Sequence, residues 1–162
     1  MSPASRAEAL RRALRAALLA RAPRLWARVC SPDDRELGAL GEELAARHLA
    51  ALGWRVLARR LATPAAEVDL VARDGRVLVA VEVKSARRTP VPRPRGIPVP
   101  EGARDRPGRR LSRAQLARLE AAAAWLAARE GARSRVDLVE VRVGLRGEVE
   151  LTHERGLRAF GR

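Results

Sequence analysis

The stretch EVDLVARDGRVLVAVEVK, residues 67–84, decides the fold of this chain. Apolar and polar residues alternate in two runs on either side of Asp74-Gly75, and such alternation is typical of β-strands. The Asp-Gly dipeptide favours the tight two-residue turns of β-hairpins. The stretch therefore predicts an antiparallel hairpin with strands Glu67–Ala72 and Val77–Lys84.

The charged residues of this hairpin are expected on one face. With Asp74-Gly75 as the turn, outward pairing sets Glu67 opposite Glu82 and Asp69 opposite Ala80. Because side chains alternate along a strand, one face then carries three carboxylates and one ammonium: Glu67, Asp69, Glu82 and Lys84. The opposite face is apolar and suits a core: Val68, Leu70, Val77, Val79, Val81 and Val83.

Carboxylates on neighbouring strands repel one another unless a cation lies between them. Hard oxygen ligands suit Mg²⁺ or Mn²⁺, and such an ion can polarise a phosphate and lower the pKa of a bound water. Lys84 would then stand beside the attacking water or the phosphate. The alternative is that these residues form the solvated face of an ordinary hairpin.

Lys84 is the only lysine in a chain that contains 32 arginines. The absence of Asn and Tyr indicates a GC-rich genome, in which arginine replaces lysine wherever it can serve. An ammonium is a compact point charge whose pKa can fall, and a guanidinium has neither property. A lysine kept at this position favours a chemical role over the solvated-face alternative.

The net charge points to a polyanionic partner. It is +14, with 33 basic residues against 19 acidic ones, which favours nucleic acid over an anionic membrane. Residues 86–110 are rich in proline and glycine and predict a basic loop. Aromatic residues form 2% of the chain, which favours contacts with the phosphate backbone over base stacking. The expected contacts lie in this loop and at the start of the next helix: Arg87, Arg88, Arg93, Arg95, Arg109, Arg110 and Arg113.

The remaining elements follow from periodicity and capping signals. Residues 1–29 predict an Arg/Ala-rich amphipathic helix that ends or kinks at Pro23. The further predictions are, in chain order, helix 34–52, a strand that begins over Trp54–Leu57, helix 112–130 with a Ser112…Gln115 capping box, and strand Val136–Val143. The order α-β-β-β-α-β predicts an α/β domain over residues 34–162 around a mixed sheet, preceded by a helical extension and linker over residues 1–33.

Cysteine and histidine give no metal pattern. One cysteine, Cys30, excludes an internal disulfide and predicts a reducing, cytosolic location. His48 falls in the apolar stripe of its helix and is interpreted as a partly buried, hydrogen-bonded histidine rather than a base. His153 has no partner at a useful spacing. No apolar run approaches the roughly 20 residues that span a bilayer, so no stable membrane insertion is expected.

The tryptophans are assigned by their place in the predicted elements. Trp54 and Trp125 are expected in the core. Trp26 is a candidate for packing the N-terminal helix onto the domain.

Several motifs together resemble one known family. They are Gly38-Ala39-Leu40-Gly41-Glu42, Glu67-Val68-Asp69-Leu70, Glu82-Val83-Lys84 and Arg135-Val136-Asp137-Leu138-Val139. With them the chain resembles the YraN family (UPF0102), bacterial proteins similar in core to the PD-(D/E)XK nucleases and the archaeal Holliday-junction resolvases. The resemblance implies a restriction-endonuclease-like mixed sheet flanked by helices.

The same resemblance implies roles for individual residues. Asp69, Glu82 and the backbone carbonyl of Val83 would bind the metal, and Lys84 would be the catalytic ammonium. Glu42 would approach the same cluster, although a surface position for it is equally open.

The sequence hypothesis is a nucleic-acid-binding protein with a Mg²⁺- or Mn²⁺-dependent endonuclease site, with DNA favoured over RNA. One alternative is a non-catalytic nucleic-acid-binding accessory factor. The other is an adaptor that meets a membrane surface or a partner through the N-terminal helix. The residues leave open whether the chain is catalytically active and whether it forms a homodimer.

Overall fold

The computed structural model describes residues 3–30, 32–88 and 111–159. Within these ranges the chain forms α1 Pro3–Arg21, α2 Pro23–Val29, α3 Asp34–Ala51, β1 Arg55–Ala62, β2 Glu67–Asp74, β3 Val77–Arg87, α4 Arg113–Glu130, β4 Arg133–Val143 and β5 Val149–Glu154. The strands make one sheet in chain order. Of its pairs, β3–β4 is parallel and the others are antiparallel. The architecture is the predicted α/β class, an open mixed sheet with an N-terminal helical segment.

Helices cover both faces of the sheet. On one face α2 and α3 pack against the strands, and this cluster includes Trp26, Leu40, Leu49, Val79 and Val81. On the other face α4 packs, and that cluster includes Leu78, Ala80, Leu116, Leu119 and Ala123. β3 therefore sends alternate side chains into two separate cores. A strand buried on both faces needs a nearly continuous apolar sequence, which is the pattern of residues 77–83.

The N-terminal segment divides at Pro23, where the sequence predicts an end or a kink. Ala22 leaves the helical conformation with φ −140°, and α2 begins at the proline, whose ring provides no N–H for a helix interior. Trp26 is 1% exposed and lies in the core beside α3, so its predicted packing role is confirmed. At Gly147, between β4 and β5, a Cβ would lie 2.5 Å from the backbone nitrogen of Arg28. α2 is therefore packed closely against the β4–β5 connection.

The hairpin turn lies one residue later than predicted. Asp74 pairs with Val77, so the turn consists of Gly75-Arg76. Gly75 adopts a φ of +57°, and glycine with positive φ at the first turn position is the pattern of type II′ hairpins. The predicted register is wrong, because Val71 and not Asp69 lies opposite Ala80. The error shifts the pairing by two positions, and an even shift keeps Asp69 and Glu82 on the same face. The predicted common face of Val68 and Leu70 is wrong, because Val68 joins the cluster under α4 and Leu70 joins the cluster under α3.

Two further expectations fail away from the centre of the sheet. β5 was not expected, because it is short and only Val149 and Leu151 give it an apolar alternation. β1 begins in the predicted region and runs to Ala62, with an irregularity between Val56 and Ala58. Trp125 is 36% exposed rather than in the core, with the guanidinium of Arg129 4.2 Å from its ring centroid.

A chain of polar side chains ties β5 to β4 and α3. Asp137 is fully buried and accepts hydrogen bonds from Arg135 Nε at 2.8 Å and from the Gly156 N–H at 2.9 Å. His153 Nε2 lies 3.0 Å from Asp137, and His153 Nδ1 lies 3.2 Å from His48 Nε2. His48 is thus partly buried and hydrogen-bonded, as predicted, whereas the expectation that His153 lacks a partner is wrong. Burial, with the adjacent His153, lowers the pKa of His48.

α3 crosses β3 at Gly41. A Cβ at this position would lie 1.8 Å from Oγ and 3.0 Å from Cβ of Ser85, so a side chain would push the helix away from the strand. Gly38, one turn earlier, has no atom within 4 Å of its Cβ position. Gly41 therefore sets the distance between α3 and β3, and Gly38 does not.

We expect Gly41→Ala to lower the free energy of unfolding by about 1–3 kcal/mol, the usual cost of overpacking. Gly38→Ala is the matched control on the same helix. It should raise stability by up to about 1 kcal/mol, because alanine favours the helix over glycine. Urea unfolding of both variants measures the difference. Stabilisation by both changes would contradict the close contact between Gly41 and Ser85.

Candidate metal centre

The candidate site lies where β2 and β3 part. The two strands pair from Asp74–Val77 as far as Leu70–Val81, and one more step in this register would set Asp69 opposite Glu82. At that step the N–H of Val83 donates instead to Oδ2 of Asp69, at 2.8 Å. The regular alternation of β2 also breaks there, because Val68 and Leu70 join the clusters on opposite faces of the sheet. A main-chain donor of β3 thus holds Asp69 at the break.

Glu82 and Lys84 occupy alternate positions of β3 on the α4 side of the sheet. The ammonium of Lys84 donates a hydrogen bond to Oε1 of Glu82. The side chains of Glu82 and Lys84 are 14% and 29% exposed, so both reach solvent from a half-buried position. β4 pairs with β3 along the whole strand. The single lysine of the chain therefore stands on a rigid strand in contact with one of the two predicted metal-binding carboxylates.

Glu42 and Glu67 are placed differently. Glu42 follows Gly41 on α3, and its charge lies near enough to Asp69 to raise the pKa of that carboxyl. Glu67 is exposed at the first residue of β2 and pairs with Arg60 at 3.4 Å. The structure thus gathers Asp69, Glu82 and Lys84 with Glu42 nearby, and it leaves Glu67 at the rim.

The electrostatics of Asp69 favour a cation. Burial raises its pKa from an ordinary 3.8 to about 6, and the charges of Glu82 and Glu42 act in the same direction. The hydrogen bond from Val83 and the ammonium of Lys84 lower the pKa of Asp69, but by less than burial raises it. A carboxylate that is desolvated and close to like charges gains strongly from a positive ion.

The donor set suits a particular kind of metal. Within the described ranges, no three His, Cys, Asp or Glu side chains lie together as a ready-made metal-binding group. In those ranges Oδ1 of Asp69 and Oε2 of Glu82 make no hydrogen bond and can accept a ligand. Mg²⁺ is usually bound by one or two carboxylates and completes its shell with waters and substrate phosphates. Asp69 and Glu82, with the carbonyl of Val83 as the third predicted donor, fit Mg²⁺ or Mn²⁺ in that way.

The predicted nucleic-acid contacts fall partly outside the described residues, where Arg93, Arg95, Arg109 and Arg110 lie. Arg87, the last residue of β3, donates a hydrogen bond to the carbonyl of Pro32. Arg88 follows it and is exposed, and Arg113 is the exposed first residue of α4. No helix in the described ranges is long and apolar enough to cross a membrane.

A cleft of about 280 Å³ opens beside the site, lined by Ala65, Ala66, Glu67, Glu82, Gln115, Arg118 and Leu119. Gln115 forms the predicted capping box with Ser112, with hydrogen bonds of 3.0 and 3.1 Å. Arg118 is the residue that the sequence interpretation missed. Its spacing of three from Gln115, which puts both on one helix face, was the available signal.

Fold and site together define an α/β protein whose open mixed sheet carries a carboxylate–lysine cluster where two strands part. Residues 41–141 match the model of a family described as "Uncharacterised protein family UPF0102". The chain is 41% identical over 124 residues to a UPF0102 protein of Mycolicibacterium vanbaalenii, and the alignment covers 75% of this chain and 93% of that protein. It is 37% identical over 120 residues to UPF0102 protein STH1475 of Symbiobacterium thermophilum. That alignment covers 72% of this chain and 90% of the relative.

The chain therefore belongs to the UPF0102 family, as its motifs indicated. The matched segment contains Glu42, Asp69, Glu82 and Lys84 and begins after α1 and α2.

We expect Asp69→Asn to stabilise the metal-free protein above pH 6 by about 1–2 kcal/mol, on the scale of 1.36 kcal/mol per pKa unit reduced for partial solvation. Asparagine keeps an acceptor for the Val83 N–H and removes the desolvated charge. Because the pKa of Asp69 is raised in the fold to about 6, the wild type loses stability as pH rises from about 4 to 6. The gain in the variant should therefore grow across that window and then level off.

Urea unfolding in EDTA at several pH values measures this difference. Glu150→Gln, which removes an exposed carboxylate from β5, is the control and should change stability by less than about 0.5 kcal/mol throughout. A destabilised Asp69→Asn protein above pH 6 would contradict the assignment.

Proposed function

We propose that this protein binds DNA and hydrolyses its phosphodiester bonds at a Mg²⁺- or Mn²⁺-dependent site. The observation that carries the proposal is the meeting of Asp69, Glu82 and Lys84 where β2 and β3 part. The resemblance of these motifs to the PD-(D/E)XK nucleases supports it. The single cysteine, Cys30, favours the reducing cytosol as the place of this activity.

Each residue of the cluster has a separate part in such a reaction. A bound divalent cation supplies polarisation of the scissile phosphate and a water of lowered pKa. Asp69 and Glu82 offer it their free oxygens, and the N–H of Val83 holds the Asp69 carboxylate in a fixed orientation. Lys84, beside Glu82, offsets the negative charge that builds up on the phosphate during hydrolysis.

Binding of the nucleic acid would depend on charge more than on base recognition. The net charge is +14 and aromatic residues are scarce, so contacts between arginines and phosphates supply most of the affinity. Arg88, after the end of β3, and Arg113, at the start of α4, are exposed and can contact phosphates. We propose DNA over RNA, and a structured or branched form as substrate.

The first test is metal binding in the absence of DNA. Asp69→Asn and Glu82→Gln should each lower Mn²⁺ affinity at least about tenfold in calorimetry, because each removes a charged ligand of the ion. Glu67→Gln is the matched control, since this carboxylate lies at the rim and pairs with Arg60, and it should leave the affinity unchanged. Equal affinity for Mn²⁺ in the wild type and all three variants would show that these carboxylates do not bind the metal and form the solvated face of an ordinary hairpin.

The second test is Lys84→Arg. The charge is retained, so the fold and the affinity for DNA should survive. A planar guanidinium cannot replace a compact ammonium beside the scissile phosphate, so single-turnover cleavage at matched DNA occupancy should fall by roughly 10²-fold or more. A variant that cleaves at the wild-type rate would remove Lys84 from the reaction.

A non-catalytic nucleic-acid-binding factor is the second candidate. It is favoured by the net charge of +14, which supports contacts with phosphates whether or not a metal is bound. The two candidates differ in one measurement, cleavage of linear, branched and single-stranded DNA with Mg²⁺ or Mn²⁺. Binding without cleavage of any of these substrates would decide for the non-catalytic factor.

A further inference from the structure

Arg118 and the carboxylates of the candidate site face the same cleft. Glu67 and Glu82 line it from the strands, and Arg118 and Gln115 line it from α4, over an apolar floor of Ala65, Ala66 and Leu119. Its volume of about 280 Å³ is roughly nine times the ~30 Å³ share of one water molecule in the liquid. The cleft can therefore admit a charged group larger than a few waters.

Arg118 makes no ion pair or hydrogen bond with any described residue, although two carboxylates line the same cleft. Glu67 pairs with Arg60 and Glu82 with Lys84. A guanidinium thus stands across a gap from the carboxylates without pairing with them. An anion that also binds a cation at Asp69 and Glu82 would satisfy both sides of this gap.

A phosphate group is the anion whose chemistry fits. Arginine presents a planar fork of N–H donors that matches two phosphate oxygens. Gln115 lies on the same helix face three residues earlier. Its Oε1 accepts from the Ser112 N–H, and its Nε2 makes no hydrogen bond in the described ranges and can donate. The α4 side of the cleft therefore offers two neighbouring donor groups and no acidic side chain.

We infer that Arg118, assisted by Gln115, binds a second phosphate of the nucleic-acid strand, next to the phosphate that meets Asp69 and Glu82. This inference rests on the proposed function, because it takes that site as the place of hydrolysis. Arg118 is then a positioning residue that sets which bond lies over the carboxylates. It does not act on the reacting atoms.

The binding test needs no cleavage. Affinity for a fluorescent DNA duplex is measured in EDTA as a function of salt, for wild type, Arg118→Ala and Arg129→Ala. The control residue is also an exposed arginine of α4, stacked on Trp125, and it lies 11 positions away, about 16 Å along the helix axis. Arg118→Ala should make the negative slope of log K against log salt shallower by about 0.9, the value for one lost phosphate contact. Arg129→Ala should leave the slope unchanged.

Cleavage then identifies the phosphate. In wild type, an uncharged methylphosphonate at one phosphate beside the cleaved bond should reduce cleavage of that bond by about tenfold. Arg118→Ala should cleave slowly and show no further loss from that substitution, because the two changes remove the same contact. Arg118→Lys keeps the charge and loses the planar fork of donors. Its rate of cleavage should therefore lie between those of the wild type and Arg118→Ala.

The outcomes separate this inference from the proposed function. Suppose that the wild type binds DNA without cleaving it and that Arg118→Ala still flattens the dependence of log K on log salt. The proposed hydrolysis is then wrong, and the phosphate contact of Arg118 stands. If Arg118→Ala keeps the wild-type slope, or keeps the full methylphosphonate effect, the inference is wrong even where cleavage is confirmed. Equal loss of slope in both alanine variants would show a general effect of charge and would also overturn it.

Discussion

Beyond Leu70 and Val81 the strands β2 and β3 stop pairing, and the N–H of Val83 takes the carboxylate of Asp69 as its acceptor. A main-chain donor inside a sheet must find a partner, because an unpaired one costs about 1–3 kcal/mol. That need holds a charged side chain in a partly buried position, and the burial raises its pKa to about 6. It also brings Asp69 to the position next to Glu82, so the site follows from a local break in the sheet.

The break is tolerated because β3 is secured elsewhere. β4 pairs with it from Val77 to Arg87, so residues 82–84 remain in a regular strand after β2 has left. α3 and α4 cover its two faces, and the absence of a side chain at Gly41 lets α3 approach Ser85 closely. Glu82 and Lys84 therefore lie on a rigid element, which fixes their positions better than a loop would.

The hairpin shows how far sequence reasoning reaches. The two strands and the faces of β3 were predicted correctly, since they depend on a period of two. On β2 the prediction fails at Val68, which lies on the face opposite to Leu70. The register was wrong, because either Asp74-Gly75 or Gly75-Arg76 can form a two-residue turn with glycine at a position of positive φ. The partners of His153 were missed for another reason, as Asp137 and His48 lie 16 and 105 positions away.

The sequence by itself determined the α/β class, the Ser112–Gln115 capping box, the division at Pro23 and the common face of Glu82 and Lys84 on β3. These features depend on periodicity and on contacts between residues a few positions apart. Only the tertiary structure decided that β2 leaves β3 at Asp69, that Glu67 lies at the rim and that Arg118 lines the same cleft as Glu67 and Glu82. Such contacts join distant parts of the chain, and their energies arise only once the sheet and its helices are assembled, so no local pattern encodes them.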